Sequence, residues 1–125
     1  MTAYVLIVDD DWMNRELLEA YLKLGGYRVG QANSGEKALD MIQAERPDLV
    51  MLDIRLSGLS GFEVCRQIKD DERTRAIPVV MVSALETDED RMQAAQMGAN
   101  GFVAKPYDLE TILTQIAALL KDSSA

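Results

Sequence analysis

The stretch YVLIVDDD (Tyr4–Asp11) decides the fold. Five apolar residues run without a polar break and then meet three consecutive aspartates. An unbroken apolar run this short is too short to span a membrane and lacks the alternation of a half-solvated strand. It reads as a strand covered on both faces, as in a parallel sheet. Working outward, four more apolar runs follow: Tyr27–Ala32, Leu49–Leu52, Val79–Val82 and Phe102–Ala104. LVML and VVMV share the unbroken character of the first. Between the runs the period changes to that of helices. Met13, Leu17, Tyr21 and Leu24 fall on one side of a first helix that Gly25-Gly26 ends. Ala38, Leu39 and Ile42 mark a second, opened near Ser34 and stopped before Pro47. Phe62, Cys65, Ile68 and Lys69 outline a third, and a fourth runs from about Asp88 to Met97. Leu109, Ile112, Leu113, Ile116, Leu119 and Leu120 define the last, with Asp108 as its N-cap. One helix in each gap between strands predicts an α/β fold: an open, doubly wound, five-stranded parallel sheet with right-handed crossovers. A closed eight-fold barrel would need roughly twice the length.

The rest of the composition narrows the chemistry. The chain has 125 residues, enough for one domain, with 13 Lys and Arg against 21 Asp and Glu, a net charge of −8. That charge disfavours direct contact with nucleic acid or an anionic membrane. There is no histidine, which excludes Ser-His-Asp and Cys-His triads and histidine-based metal sites. The one cysteine, Cys65, excludes an internal disulfide and fits a reducing, cytoplasmic setting. At helical spacing with Phe62 and Ile68 it reads as a small buried hydrophobe. No secretory leader or membrane segment is visible, and Asp122–Ala125 reads as a polar tail after a domain over residues 1–121.

In a doubly wound sheet the ligand crevice lies outside the carboxyl ends of the strands. The first run ends in Asp9-Asp10-Asp11, the third in Asp53, the fourth in Ser83 and the fifth in Lys105-Pro106. Asp11 reads as the N-cap of the first helix. Asp9, Asp10 and Asp53 would converge on one rim, where like charges call for a proton or a cation. Hard oxygen donors with room for water suit Mg²⁺. Lys105 adds a compact positive charge and Ser83 a hydroxyl. Such a set fits attack by a carboxylate on phosphorus to give an acyl phosphate, with Asp53 as nucleophile and Asp9 and Asp10 as metal holders. The acidic clusters Asp70–Glu72 and Glu86–Asp90 read as solvated helix ends.

VLIVDDD (Val5–Asp11), PDLVMLDIRL (Pro47–Leu56), IPVVMVSA (Ile77–Ala84) and GANGFVAKP (Gly98–Pro106) together resemble the receiver domains of two-component response regulators. The resemblance covers about Tyr4 to Leu120. It implies a flavodoxin-like (βα)5 fold with strand order 2-1-3-4-5. It also implies that Asp53 accepts a phosphoryl group from a phosphohistidine on a sensor histidine kinase or histidine phosphotransfer protein. Mg²⁺ would be held by Asp9, Asp10, Asp53 and the backbone carbonyl of Arg55. Lys105, joined to Pro106 by a cis bond, would contact the phosphoryl group. Ser83 would rotate toward it and Phe102 would follow, reshaping a face of the fourth helix, fifth strand and fifth helix for a downstream protein.

The chain departs from the family in places. Ser57 and Ser60-Gly61 replace a proline and an Asp-Gly, so the loop Leu56–Gly61 is expected to be looser. Phe102 replaces a more usual tyrosine. Arg55 and Leu85 stand where the family tunes approach of the attacking water, and predict a long-lived phosphoryl state. The chain is expected to act only on itself, with no external substrate, as a monomer or weak dimer. The start at Met1 and the short tail favour a stand-alone regulator over an excised receiver. The alternatives are a pseudo-receiver that binds without phosphotransfer, and a phosphohydrolase, for which no segment is long enough to form a cap.

Overall fold

The computed structural model describes residues 2–84 and 87–123. Strands and helices alternate as β1 (Tyr4–Val8), α1 (Trp12–Leu24), β2 (Arg28–Ala32), α2 (Gly35–Ala44), β3 (Leu49–Asp53), α3 (Gly61–Asp70), β4 (Val79–Ser83), α4 (Asp88–Gln96), β5 (Gly101–Ala104) and α5 (Leu109–Ser123). The strands form one parallel sheet in the order β2-β1-β3-β4-β5, as the resemblance implies. α5 carries its helical backbone to Ser123, two residues into the stretch read as a tail.

The unbroken runs are explained by two cores, one on each face of the sheet. Val5 and Ile7, Leu49 and Met51, and Val80 and Val82 point toward α1 and α5, where they meet Leu18, Leu22, Ile112 and Ile116. The intervening Leu6 and Val8, Val50 and Leu52, and Val79 and Met81 point the other way, onto Ala38, Ile42, Val64, Cys65, Ile68 and Ala94. A strand with helices on both sides has no face for polar residues, so period-two alternation disappears. Local capping agrees with the sequence: Asp11, Ser34 and Asp108 each accept a backbone N–H from the first turn of α1, α2 and α5.

One helix face differs from the sequence reading. Leu18 and Leu22 are the buried residues of α1, whereas Met13, Leu17 and Leu24 are exposed and Tyr21 is half-buried. Apolar residues at 13, 17, 18, 21, 22 and 24 make two stripes of nearly equal merit. Periodicity alone does not say which of them faces the sheet.

The loop between β3 and α3 turns on glycine and bonds once to α2. Gly58 has φ +75°, a conformation in which glycine is favoured, and Leu59 N–H donates to Glu36 Oε1 at 3.4 Å. Gly61 sits where a Cβ would lie 2.2 Å from the Asp53 carbonyl oxygen. The two glycines therefore let backbone turn and approach closely. Among the described residues, no helix is long and apolar enough to cross a membrane.

Candidate functional site

Register brings the strand ends together. Val8 pairs with Leu52 across β1 and β3, so the next residues, Asp9 and Asp53, leave the sheet side by side. Ser83 pairs with Ala104 across β4 and β5, which places Lys105 one step beyond. The Lys105 Nζ then donates to Asp53 Oδ2 at 3.0 Å and to Asp9 Oδ2 at 3.2 Å. Residues 52 and 96 positions apart in sequence thus meet on one ammonium group. The Lys105–Pro106 bond is cis.

Each buried carboxylate has its second oxygen occupied by backbone. Arg55 N–H donates to Asp53 Oδ1 at 2.9 Å, and Asp11 N–H to Asp9 Oδ1 at 2.8 Å. Asp9 and Asp53 are 6% and 7% exposed, and Ser83 is fully buried at the end of β4. Burial holds the Asp9 carboxyl above the usual aspartate range, reinforced by the neighbouring charge of Asp53 and opposed by the Asp11 N–H and Lys105. Burial alone would push the Lys105 ammonium down. Its hydrogen bonds and charge contacts with Asp53 and Asp9 outweigh that, and its pKa is raised.

Asp10 differs from Asp9 and Asp53 in being exposed, and its Oδ2 accepts from both the N–H and the hydroxyl of Ser57. Asp11 caps α1, as the sequence indicates. Phe102 is half-buried on β5 with the Arg91 guanidinium 4.6 Å from its ring centre. Leu85 lies outside the described residues.

The donor set at the rim has the chemistry of a divalent-cation site. Asp9 and Asp53 share one ammonium and Asp10 adds a third carboxylate, which leaves an excess of two negative charges at the rim. Among the described residues, no three acidic or thiol side chains close into a ready cage. Hard carboxylate oxygens, with Asp10 exposed to water, suit an ion that takes one or two carboxylates and keeps several waters, as Mg²⁺ does.

Three features were not read from sequence. Arg15, one helical turn beyond Asp11, donates through Nη1 to the Asp9 carbonyl at 2.8 Å and bolsters the turn carrying the acids. Its position after the Asp triplet was the available signal. Ser57 was visible only as a departure in the loop. Asp90, grouped with the solvated acids, is 7% exposed and accepts from Arg55 Nη2 at 3.1 Å. The Thr87 cap turns Asp90 inward on the first turn of α4, so here the solvated reading is corrected.

Comparison with known proteins gives one consistent result. The family model for the response regulator receiver domain matches residues 5–117. The response regulator PleD of Caulobacter vibrioides is 41% identical over 121 residues, covering 97% of this chain and 27% of PleD. RpaA of Synechocystis, a DNA-binding transcriptional regulator, is 40% identical over 94% of this chain and 48% of its own length. The chain therefore spans about a quarter to a half of these curated relatives. Among solved structures, a response regulator of Chloroflexus aurantiacus superposes with TM-score 0.94 at 31% identity, covering 97% of this chain and 99% of that one. The receiver domain of the Pseudomonas aeruginosa histidine kinase PA1611, described with a magnesium ion in its active-site cleft, gives 0.89 at 28% identity over 97% and 99%. Strand order, rim and sequence motifs converge with these matches, and the chain belongs to the response regulator receiver domains of two-component phosphorelay signalling.

Proposed function

We propose that this receiver accepts a phosphoryl group on Asp53 from a phosphohistidine of a partner kinase or phosphotransfer protein, and thereby switches a protein-binding face. The observation that carries this reading is the Lys105 ammonium bridging Asp53 and Asp9 at 3.0 and 3.2 Å. A lysine fixed there neutralises charge on phosphoryl oxygens entering beside Asp53 without moving. A carboxylate oxygen of Asp53 bonds to phosphorus as the P–N bond breaks, and the bond's electron pair returns to the donor imidazole. Bound at Asp9, Asp10, Asp53 and the Arg55 carbonyl, Mg²⁺ would supply further positive charge against the phosphoryl oxygens.

The donor's approach is supported by the surface beside the site. A cleft of about 400 Å³ is lined by Asn14, Leu17, Ala84, Lys105, Pro106 and Tyr107. Trp12 and Met13, 62% and 71% exposed, extend its apolar character along α1. The stripe left uncovered by the sheet is thus the side facing an incoming helical donor. On the other face of the sheet, Phe102 packs beside β4, the strand that ends in Ser83, and is held under Arg91 of α4. Movement of Ser83 toward a phosphoryl oxygen would free Phe102 to follow and alter the α4-β5-α5 face.

The chain acts on itself alone and works as a monomer or weak dimer. Arg55 is held toward α4 by Asp90, and with it at the rim the phosphoryl group is expected to persist for minutes or longer. Loss within seconds, measured in Mg²⁺, would overturn that lifetime.

Incubation with acetyl phosphate and Mg²⁺, followed by intact mass, tests the reading. A single phosphate adduct that disappears in D53N is expected. No adduct in the unaltered chain would instead favour a pseudo-receiver. Continuous turnover of a phosphate ester would favour a hydrolase.

A further inference from the structure

We infer that Ser57 is a positioning residue for the metal site, orienting the Asp10 carboxylate through two neutral donors; this rests on the Mg²⁺-dependent reading above. Asp9 and Asp53 are fixed by burial, by backbone N–H groups and by Lys105. Asp10 has none of these supports. It is exposed at the end of β1, where an aspartate would otherwise sample several rotamers and lose that freedom on binding a cation.

Ser57 supplies what is missing. Its backbone N–H donates to Asp10 Oδ2 at 3.3 Å and its hydroxyl to the same oxygen at 3.1 Å. The pair links residues 47 positions apart and joins the β1 rim to the loop after the phosphoacceptor. Ser57 engages only one carboxylate oxygen. Both donors are uncharged, so Asp10 is held without a competing cation. A lysine in this place would reduce the negative charge that attracts the metal, whereas a hydroxyl leaves it intact.

The donors are themselves held in place. Gly58 adopts φ +75°, Leu59 N–H donates to Glu36 Oε1 at 3.4 Å, and Ser60 caps α3 by accepting from Glu63 N–H at 3.3 Å. Residue identity matters twice. Alanine at 57 would keep the N–H and lose the hydroxyl. Proline would lose both, since its ring nitrogen carries no hydrogen. The serine that interrupts the family's usual loop sequence is therefore the residue of the loop that reaches Asp10.

The test is Mg²⁺ binding by the full chain, followed by titration calorimetry and by Trp12 fluorescence, without any phosphodonor. S57A is expected to raise the Mg²⁺ dissociation constant about fivefold and S57P about tenfold or more, the usual scale for loss of hydrogen bonds to a metal-binding carboxylate. S57T, which keeps both donors, should stay within about twofold of the unaltered chain. The metal-free unfolding midpoint of S57A should not change, which separates positioning from a structural role and covers the case in which S57P fails to fold. Unaltered affinity in S57A would overturn the inference while leaving the metal site intact, as would failure of S57T to retain affinity. No Mg²⁺ binding by the unaltered chain would overturn both the inference and the metal-dependent reading beneath it.

Discussion

The two ends of the sheet make opposite use of their polar residues. At the amino-terminal end of the strands lies the larger opening, about 720 Å³, with Tyr27, Arg46, Asp48, Pro78 and Leu120 among its walls. Of its charged groups, Arg46 and Asp48 are exposed and each bonds a backbone group of another segment. Asp48 Oδ2 accepts the Tyr4 N–H at 2.7 Å, and Arg46 Nε donates to the Arg73 carbonyl at 3.3 Å. At the carboxyl end the cleft is smaller, but Asp9, Asp53 and Ser83 are buried and two of them share one ammonium. Burying carboxylates side by side costs stability that an apolar filling would not. Perturbed buried charges cluster at functional sites, so shared buried charge rather than cavity size singles out the carboxyl end as the candidate site.

The sharpest way to break the contrast is to remove the shared ammonium. K105M should slow adduct formation from acetyl phosphate about 100-fold, the usual effect of losing one fixed charge-stabilising donor. R46A, in the larger opening, should leave the rate within about twofold. Both rates follow from intact mass against time. Equal losses in the two variants would erase the distinction between the ends.

This contrast was partly legible in the sequence. YVLIV, LVML and VVMV read as two-face-buried strands because both neighbours of each are helical layers, and the residue after each run then falls on the rim. Strand order was not legible from periodicity, which carries no pairing information; it came from the resemblance. The buried face of α1 was misread because Leu17 and Leu18 are adjacent and each continues a plausible stripe. Asp90 was misread because an acidic run at a helix start is usually solvated, and its partner Arg55 is 35 residues away. Ser57 was noticed for what it replaced. That its donors reach Asp10 depends on a loop conformation set by Gly58 and Glu36, which no local pattern encodes.

Close packing offers a second comparison. At the functional rim, G61A would place a Cβ 2.2 Å from the Asp53 carbonyl and 2.8 Å from Ile54 Cα, both backbone atoms that cannot step aside. About 2 kcal/mol of stability should be lost, with a slower adduct reaction because Asp53 shifts. At the other end, Gly25 has φ −80° and its nearest obstacle is Leu113 Cδ2 at 2.6 Å, the tip of a side chain that can change rotamer. G25A should therefore cost less than about 1 kcal/mol and leave the reaction unchanged. Urea midpoints compare the two, and a larger loss in G25A would reverse the ranking. Between the two glycine variants falls D48A, which deprives the Tyr4 N–H of its acceptor. About 1 kcal/mol should be lost with no change in adduct rate, so the amino-terminal rim affects stability alone.

Cys65 sharpens the criterion from a third direction. It is a nucleophile as buried as any residue in the protein, in the core between the sheet and α3, and away from both rims. If burial of a reactive group were enough to mark function, Cys65 would qualify. What it lacks is a charged partner that outweighs the burial of its ionised form. Its thiol donates to the Met97 carbonyl at 3.6 Å, and burial pushes its pKa up to about 11 against the smaller opposing effect of Lys69. The sign follows from the proton: the folded state holds it more tightly than the unfolded chain. Cys65 therefore leaves stability unchanged below the ordinary thiol range and erodes it as pH rises from there toward about 11. At neutral pH the thiolate is a trace species, and iodoacetamide should leave the folded chain unlabelled while labelling it fully in denaturant. Rapid labelling of the folded protein would show a reactive cysteine, and buried groups without charged partners would then have to be counted as functional here too.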